Sequence, residues 1–311
     1  TRSMRPCPAH WEVTKMTYEE RYDSYRKQAQ HALERTAFEV FHKDRDSRVA
    51  QAARYSLLDG GKRVRAVLCL AVCEMLCGDM ELAARYAAAV EMLHCYSLIH
   101  DDLPCMDNDD FRRGKPSCHK AYGEATALLA GDALLTAAFE VLSTGNGAHA
   151  NQNALACSVL ARAAGARGMI YGQELDLHYE TAAATEKQLR EVHRNKTGML
   201  IAAAAQLGAV AANAFDSDRQ SVEKFAFDIG LVFQMVDDVL DVSATTQELG
   251  KPAHSDEESG KTTFVTLFGV DETMRMADEL TMQAVRQIFE KFGEKSDFLQ
   301  AFARSLVRRG N

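Results

Sequence analysis

Proline is scarce in this chain, with 5 in 311 residues, while alanine is abundant. Proline breaks helices and alanine favours them, so the shortage argues for a mostly helical chain. Positive charge is also short: 36 lysines and arginines face 44 aspartates and glutamates, a net charge of −8. That balance argues against nucleic acid as the main partner. Any anionic ligand must be met by local basic residues or by bridging metals. The 8 cysteines contain no Cys-x-x-Cys pair and no zinc-type Cys/His spacing. Cys69, Cys73 and Cys77 recur every four residues on one helix face, which reads as small buried hydrophobes in a reducing, cytoplasmic setting. No apolar run reads as a membrane span. The longest, MLIAAAAQLGAVAANAF at 199–215, falls short of the roughly 20 residues of a typical span, and Gln206 and Asn213 interrupt it. It reads as a buried helix. Residues 1–15 lack the apolar centre of a signal peptide. They look unlike the rest, and a natural start at Met16 would make them the remnant of a leader or an added segment.

What is present is helical periodicity and a core-sized apolar fraction of 47%. Helices are expected over 17–42, 48–58, 64–77, 81–100, 124–143, 151–179, 186–214, 218–242 and 271–292. Gly60-Gly61 stops the second of these. Gly114-Lys115-Pro116, GNGAHAN after 143 and the polar stretch 243–263 read as loops. No stretch alternates as a strand would. With no linker and no repeat, 16–311 reads as one all-α domain.

Acid is concentrated at two places. HDDLPCMDNDDFRR at 100–113 holds five aspartates, and unpaired carboxylates repel one another unless a cation sits between them. Asp101 and Asp102 end a helix, Pro104 prevents its continuation, and Asp107 lies on a turn that can fold back toward Asp101. Oxygen ligands without histidine or cysteine select a hard cation such as Mg²⁺. Alone, the motif could equally be a solvated acidic loop. The second cluster, FQMVDDVLD at 233–241, places Asp237 and Asp241 on one helix face with Asp238 alongside, among apolar neighbours. Two acidic clusters on packed helices suggest banks that face each other across a cavity. Basic residues accompany them: GGKRVR at 60–65, Arg112-Arg113, Lys196-Thr197, Lys251 and Lys261. Any one lysine could be a solvated surface charge. Together with the acidic motifs they point to a substrate bearing diphosphates.

This constellation resembles the trans-isoprenyl diphosphate synthases. The likeness covers roughly residues 30–270. Its carriers are GGKRVR, EMLHCYSLIHDDLPCMDNDDFRRGKPS at 91–117, GDALL at 131–135, KTG at 196–198, FQMVDDVLD, and GK followed by GKTTF at 250–264. Ala66 departs from it, since proline often follows the basic turn. The two extra residues inside LPCMDNDD resemble the bacterial farnesyl and the bacterial and plant geranylgeranyl branch. The resemblance implies a large helical bundle with a central substrate cavity and up to three Mg²⁺ ions. Asp101 and Asp107 would bind two of them with Asp102 in support. Asp237 would hold the third, with Asp238 and Asp241 orienting water and the basic groups. Arg112, Lys196, Lys251 and Lys261 would clamp an allylic diphosphate. Lys62, Arg65, His94 and Arg113 would hold isopentenyl diphosphate. Thr197 and Gln234 would turn dipoles toward a carbocation. His94 on an apolar helix could otherwise be a satisfied core histidine, and His100 reads as structural. A homodimer is implied as well.

Tyr96 lies five residues before Asp101 and Ser97 four. At 1.5 Å per residue that sets the Tyr96 ring roughly 7.5 Å below the metal site, as a floor for the growing tail. By the resemblance an aromatic there implies the C15 product, farnesyl diphosphate. Tyr96 could also merely pack the core, and a C20 geranylgeranyl product is the alternative. A class I terpene cyclase would have no use for GGKRVR, His94 and Arg113. A non-catalytic subunit would be expected to have lost metal aspartates that are intact here.

Overall fold

A computed structural model describes residues 16–41, 47–145, 147–180, 182–243 and 261–308. The expectation about residues 1–15 and the expected diphosphate ligand Lys251 lie outside the described residues. Helix follows helix: α1 Tyr18–Phe41, α2 Arg48–Leu57, α3 Val64–Met75, α4 Met80–Asp101, α5 Cys118–Tyr122, α6 Glu124–Ser143, α7 Ala150–Ala164, α8 Met169–Tyr179, α9 Glu186–His193, α10 Met199–Ala211 and α11 Asp216–Ser243. The last three are α12 Phe264–Phe268, α13 Val270–Phe292 and α14 Asp297–Val307. The chain is all-α, as its composition implies.

Local chemistry starts these helices where they start. Asp79 accepts hydrogen bonds from the Glu81 and Leu82 amides at 3.0 Å and so caps α4. Thr185 and Gln188 form a reciprocal capping box at α9. The centre of the bundle is α10, in which Leu200–Ala205 and Leu207–Ala211 are all buried. A helix apolar all round must sit inside, which is what the run at 199–215 required. α10 packs on α3, α4, α7 and α11, and α4 packs most extensively on α6. Small residues let these helices approach closely. A Cβ on Gly208 of α10 would lie 2.2 Å from the Cys69 carbonyl oxygen of α3.

Four expectations need correction. First, 151–179 is two helices, because Gly165 and Gly168 break it: a Cβ on Gly168 would meet the Ala163 carbonyl oxygen at 2.1 Å. Second, 186–214 is interrupted by a π-helical turn at Arg194–Gly198. A wider turn of this kind inside a helix frequently marks a functional site. Third, Phe111–Arg112 and Lys115–Pro116 form a small antiparallel hairpin, with Phe111 opposite Pro116 and Arg112 opposite Lys115. Two-residue strands are too short to show alternation. Arg113 and Gly114 supply the positive φ values, 52° and 78°, that a tight hairpin turn demands. Fourth, α6 is the one helix among the described residues that is long and apolar enough to cross a membrane, whereas only 199–215 had drawn attention. α6 packs along α4 and α2, and its apolar residues on that side fill the core.

Gly208→Ala should force the α3–α10 contact apart, since a carbonyl oxygen cannot rotate away as a side chain can. We expect a loss of about 3 kcal/mol in urea unfolding, the upper end for overpacking.

Candidate active site

The first acidic motif sits at the C-terminal end of α4, where Pro104 turns the chain. The Asp107 amide donates to the Asp101 carbonyl at 2.8 Å, and the Met106 and Asn108 amides to the Leu103 carbonyl at 2.8 and 3.2 Å. The turn therefore does fold back, bringing Asp107 beside Asp101. The Asp107 side chain is exposed, Asp101 is half-buried and Asp102 is buried. Asp102 faces Arg112 of the hairpin, which donates from Nε at 3.0 and 3.3 Å and also from Nη2. Arg112 Nη2 reaches Asp109 Oδ2 as well, at 3.1 Å. Asp102 thus holds an arginine, while among the described residues no such fork meets Asp101 or Asp107. Burial, and then the nearby Asp107 and Asp102 carboxylates, push the Asp101 carboxyl up to about 6 although Lys196 pulls it down.

The opposite bank is α11. Asp237 is exposed, whereas Asp238 and Asp241 are buried, at 6% and 1% exposure. Asp238 Oδ2 accepts from the Phe264 amide at 2.7 Å and so anchors the start of α12. Of the three acids in FQMVDDVLD, Asp237 is the one open to solvent. The two banks feel each other's cations: Asp101 senses Lys196, and Arg65 senses Asp237.

The π-turn stands between the banks. Thr197 Oγ1 donates to Gln234 Oε1, which ties the turn to α11. Gly172 of α8 makes this close packing possible, because a Cβ there would lie 2.0 Å from the Lys196 backbone nitrogen. Lys196 Nζ pairs with Asp176 Oδ2 at 2.5 Å, and Lys261 Nζ pairs with Asp176 Oδ1 at 2.8 Å. Asp176 is 5% exposed. Burial alone would raise its pKa, but the two lysines hold it below the usual carboxylate range.

The remaining cations gather around the Gly60-Gly61 turn. Arg113 donates from Nη1 to the Gly60 carbonyl at 2.8 Å, and Gly61, at φ 103°, leaves room for its guanidinium. Lys62 is exposed. Arg65 Nε is buried with no hydrogen-bond partner, and burial, followed by Arg113, lowers the Arg65 pKa. His94 lies in the same cleft with Arg63, Arg112 and Arg113. Burial, then Arg65 and its neighbouring arginines, holds the His94 pKa well below its ordinary value, so the imidazole is neutral. Arg63 has a different task. It pairs with Glu91 at 3.6 Å and donates to the Leu57 carbonyl at 2.7 Å, while Glu91 accepts the Ala66 amide at 3.1 Å.

Lower on α4, Tyr96 is 6% exposed and stands edge-on to His100 at 5.4 Å between ring centroids. His100 Nε2 is 3.0 Å from the Leu128 carbonyl oxygen, and a Cβ on Gly131 would collide with it at 2.1 Å. His100 is thus seated against α6 and stands behind the Tyr96 ring. Ser97 Oγ bonds back to the His94 carbonyl at 2.9 Å.

Three residues that the motifs did not single out belong here: Asp176, Asp109 and Glu91. Asp176 and Gly172 stand in GQELD at 172–176, and a glycine followed by two acids, Glu174 and Asp176, on one helix was the available signal. Among the described residues no three acids, histidines or cysteines converge as a closed metal cage. The oxygen-only donors Asp101, Asp107 and Asp237, split between two banks, suit a cation that takes few protein ligands and fills its shell with water and phosphate oxygens. That is the habit of Mg²⁺. An orphaned arginine nitrogen and an acid with a raised pKa are the complementary lacks that a cation-bound diphosphate would meet.

Asp101 also gives a pH signature. Its folded pKa is raised from 3.8 to about 6, so the folded state binds the proton more tightly and loses stability as pH rises through this window. In chelator, Asp101→Asn should therefore stabilise the protein by about 2 kcal/mol at neutral pH and by almost nothing near pH 4, read by urea titration. An equal effect at both pH values would contradict the burial account.

The polyprenyl synthetase family model matches residues 46–302. Geranylgeranyl pyrophosphate synthase 3, chloroplastic, of Arabidopsis thaliana is 45% identical over 268 residues, which are 85% of this chain and 74% of that protein. The structure of a geranyltransferase from Legionella pneumophila is 37% identical with a TM-score of 0.83, covering 94% of this chain and 97% of that one. A geranyltransferase from Helicobacter pylori, solved with magnesium and isoprenyl diphosphate, is 35% identical with a TM-score of 0.74, covering 84% and 87%.

Proposed function

We propose a product and a division of labour for this chain, which belongs to the polyprenyl synthetase family and is a prenyltransferase: it extends dimethylallyl and geranyl diphosphate with isopentenyl diphosphate to the C15 compound farnesyl diphosphate. The observation that carries the C15 reading is Tyr96, a buried ring five residues below Asp101, held edge-on by His100. His100 is itself seated against the α6 backbone, so the floor cannot easily turn aside. A C20 product is the second reading, favoured by the 45% identity to a geranylgeranyl pyrophosphate synthase.

In this reading the two halves of the site bind two diphosphates differently. Lys62, Arg65, His94 and Arg113 take isopentenyl diphosphate directly. Neutral His94 donates a hydrogen bond, and Arg65 Nε gains the partner it lacks. Arg112, Lys196 and Lys261 take the allylic diphosphate, with Asp101, Asp107 and Asp237 holding up to three magnesium ions between them. When bound, magnesium stabilises the charge that gathers on the departing diphosphate. The allylic C–O bond breaks, the isopentenyl double bond attacks the freed carbon, and a proton leaves the new C–C unit for the diphosphate. Among the described residues of the site, none is assigned as a general base in this reading. The Thr197 hydroxyl gives its hydrogen to Gln234, which leaves its lone pairs to face the cation. Apolar walls keep water from the cation. We extend the proposal to a homodimer in the cytoplasm. Leu128 and Leu129 on α6 are 46% and 52% exposed, and the thiols of Cys69, Cys73, Cys95, Cys105, Cys118 and Cys157 are free, which fits a reducing compartment.

Product analysis tests this. With Mg²⁺, isopentenyl diphosphate and geranyl diphosphate, the dephosphorylated product should be the C15 alcohol, and Tyr96→Ala should shift it to C20 or longer. A C20 product from the unaltered chain would favour the second reading. Asp101→Ala and Asp237→Ala should each lower turnover by about 10²–10³-fold with the helical spectrum intact. Near-normal rates would remove those aspartates from the metal site.

A further inference from the structure

Lys196 comes from the π-turn and Lys261 from the segment just before α12, elements far apart in the chain. One carboxylate joins them: Asp176 gives one oxygen to each ammonium, at 2.5 and 2.8 Å. Asp176 is 5% exposed, and both lysines are about one-quarter exposed. The acid is therefore the buried member of the arrangement and the ammonium groups are the more exposed, with Lys196 near enough to Asp101 for its charge to be felt there. Two ammonium ions this close would repel each other without the acid between them. The position of α8 is itself fixed, because Gly172 lets its backbone touch that of Lys196.

We propose that Asp176 is a positioning residue that fastens Lys196 and Lys261 into one two-pronged cation for the allylic diphosphate. This rests on the prenyltransfer reading for the identity of the ligand, though not on the length of the product. Two ammonium groups against one carboxylate give the fork a net charge of +1. A lysine is otherwise a flexible point charge that must be ordered each time it binds. With the acid behind it, the ordering is done before the diphosphate arrives, and the donors stay in place as charge develops on the leaving group. Asp176 touches neither reactant and acts through the lysines alone.

A double-mutant cycle tests this with two readouts. In steady-state assays Asp176→Asn should lower kcat at least about tenfold while the KM for isopentenyl diphosphate, which other residues hold, stays within about twofold. In calorimetry with Mg²⁺ and isopentenyl diphosphate present, Asp176→Asn should weaken binding of inorganic diphosphate at least about fivefold. Lys196→Met with Lys261→Met should show both losses, and adding Asp176→Asn to that pair should cost nothing more. The triple variant buries no unpaired charge, so it serves even if Asp176→Asn alone folds poorly. The proposal is overturned if Asp176→Asn leaves inorganic diphosphate binding unchanged or tighter, or if it costs as much in the lysine-free background as in the unaltered chain. The calorimetric arm reads the fork whether or not the chain elongates, so a failure of the prenyltransfer reading shows separately, as absent product.

Discussion

The arrangement depends on carboxylates held close together and partly out of water. A carboxylate in that position must find a cation, lose its charge or destabilise the fold. In this chain the first of those answers is the commonest. Asp102 is answered by Arg112, Asp176 by two lysines, and Glu91 by Arg63. Asp101 is answered by no such fork, and its raised pKa records that. The distribution is uneven across the cavity. On the side of Asp101 and Asp237, the basic groups Arg112, Lys196 and Lys261 are already paired with acids. On the side of the Gly60-Gly61 turn, Arg65 Nε lacks a partner and Arg113 has a carbonyl. An anion can enter the second half unaided. It can enter the first only with additional positive charge. The proposal that two diphosphates are held differently rests on where the acids lie.

Holding such charges in place requires a stiff frame, and the frame is made stiff by small residues. Gly208 against Cys69 and Gly172 against Lys196 bring backbones into contact that any side chain would hold apart. The second of these has a functional consequence. The π-turn cannot move without moving α8, so Thr197 and Lys196 are set by two helices rather than by the rotamers of long side chains. The hairpin does similar work for the arginines. Its positive φ at Arg113 and Gly114 reverses the chain within two residues, so Arg112 reaches Asp102 while Arg113 reaches Gly60. Neighbours in sequence thereby take different partners while lining the same cleft.

Much of this was legible in the residues. The helices of the bundle follow from periodicity and from scarce proline, and the two acidic banks from repulsion that needs a cation. The fold-back of Asp107 toward Asp101 follows from Pro104. What was illegible has a common cause, namely contact between distant segments. The break at Gly165–Gly168 and the π-turn at Arg194–Gly198 lie in stretches whose periodicity runs straight through them. Their cause is backbone packing, which a one-dimensional pattern does not carry. The hairpin is too short for alternation. Asp176 stands two residues after Glu174 on one helix, and nothing in the sequence separates the two acids when the lysines that pair with Asp176 lie 20 and 85 residues away. α14 carried a strong apolar face and went unremarked for want of a motif.

Product length is the hardest property to read from likeness, and the reason is physical. Overall identity averages over hundreds of positions, most of which hold the bundle and the diphosphates and are indifferent to the tail. The depth of a cavity is decided by whichever side chain first blocks it. Here the first candidate is Tyr96, and what makes it a floor rather than a door is support from behind. His100 stands edge-on to the ring, bonds to the Leu128 carbonyl, and fits only because residue 131 is glycine. A ring that is buried and backed in this way can yield only by a rearrangement of α4 against α6, the most extensive contact in the bundle. The chain's likeness to geranylgeranyl synthases and the proposed C15 floor are therefore compatible, because the likeness averages over the whole bundle and the floor would rest on one backed ring.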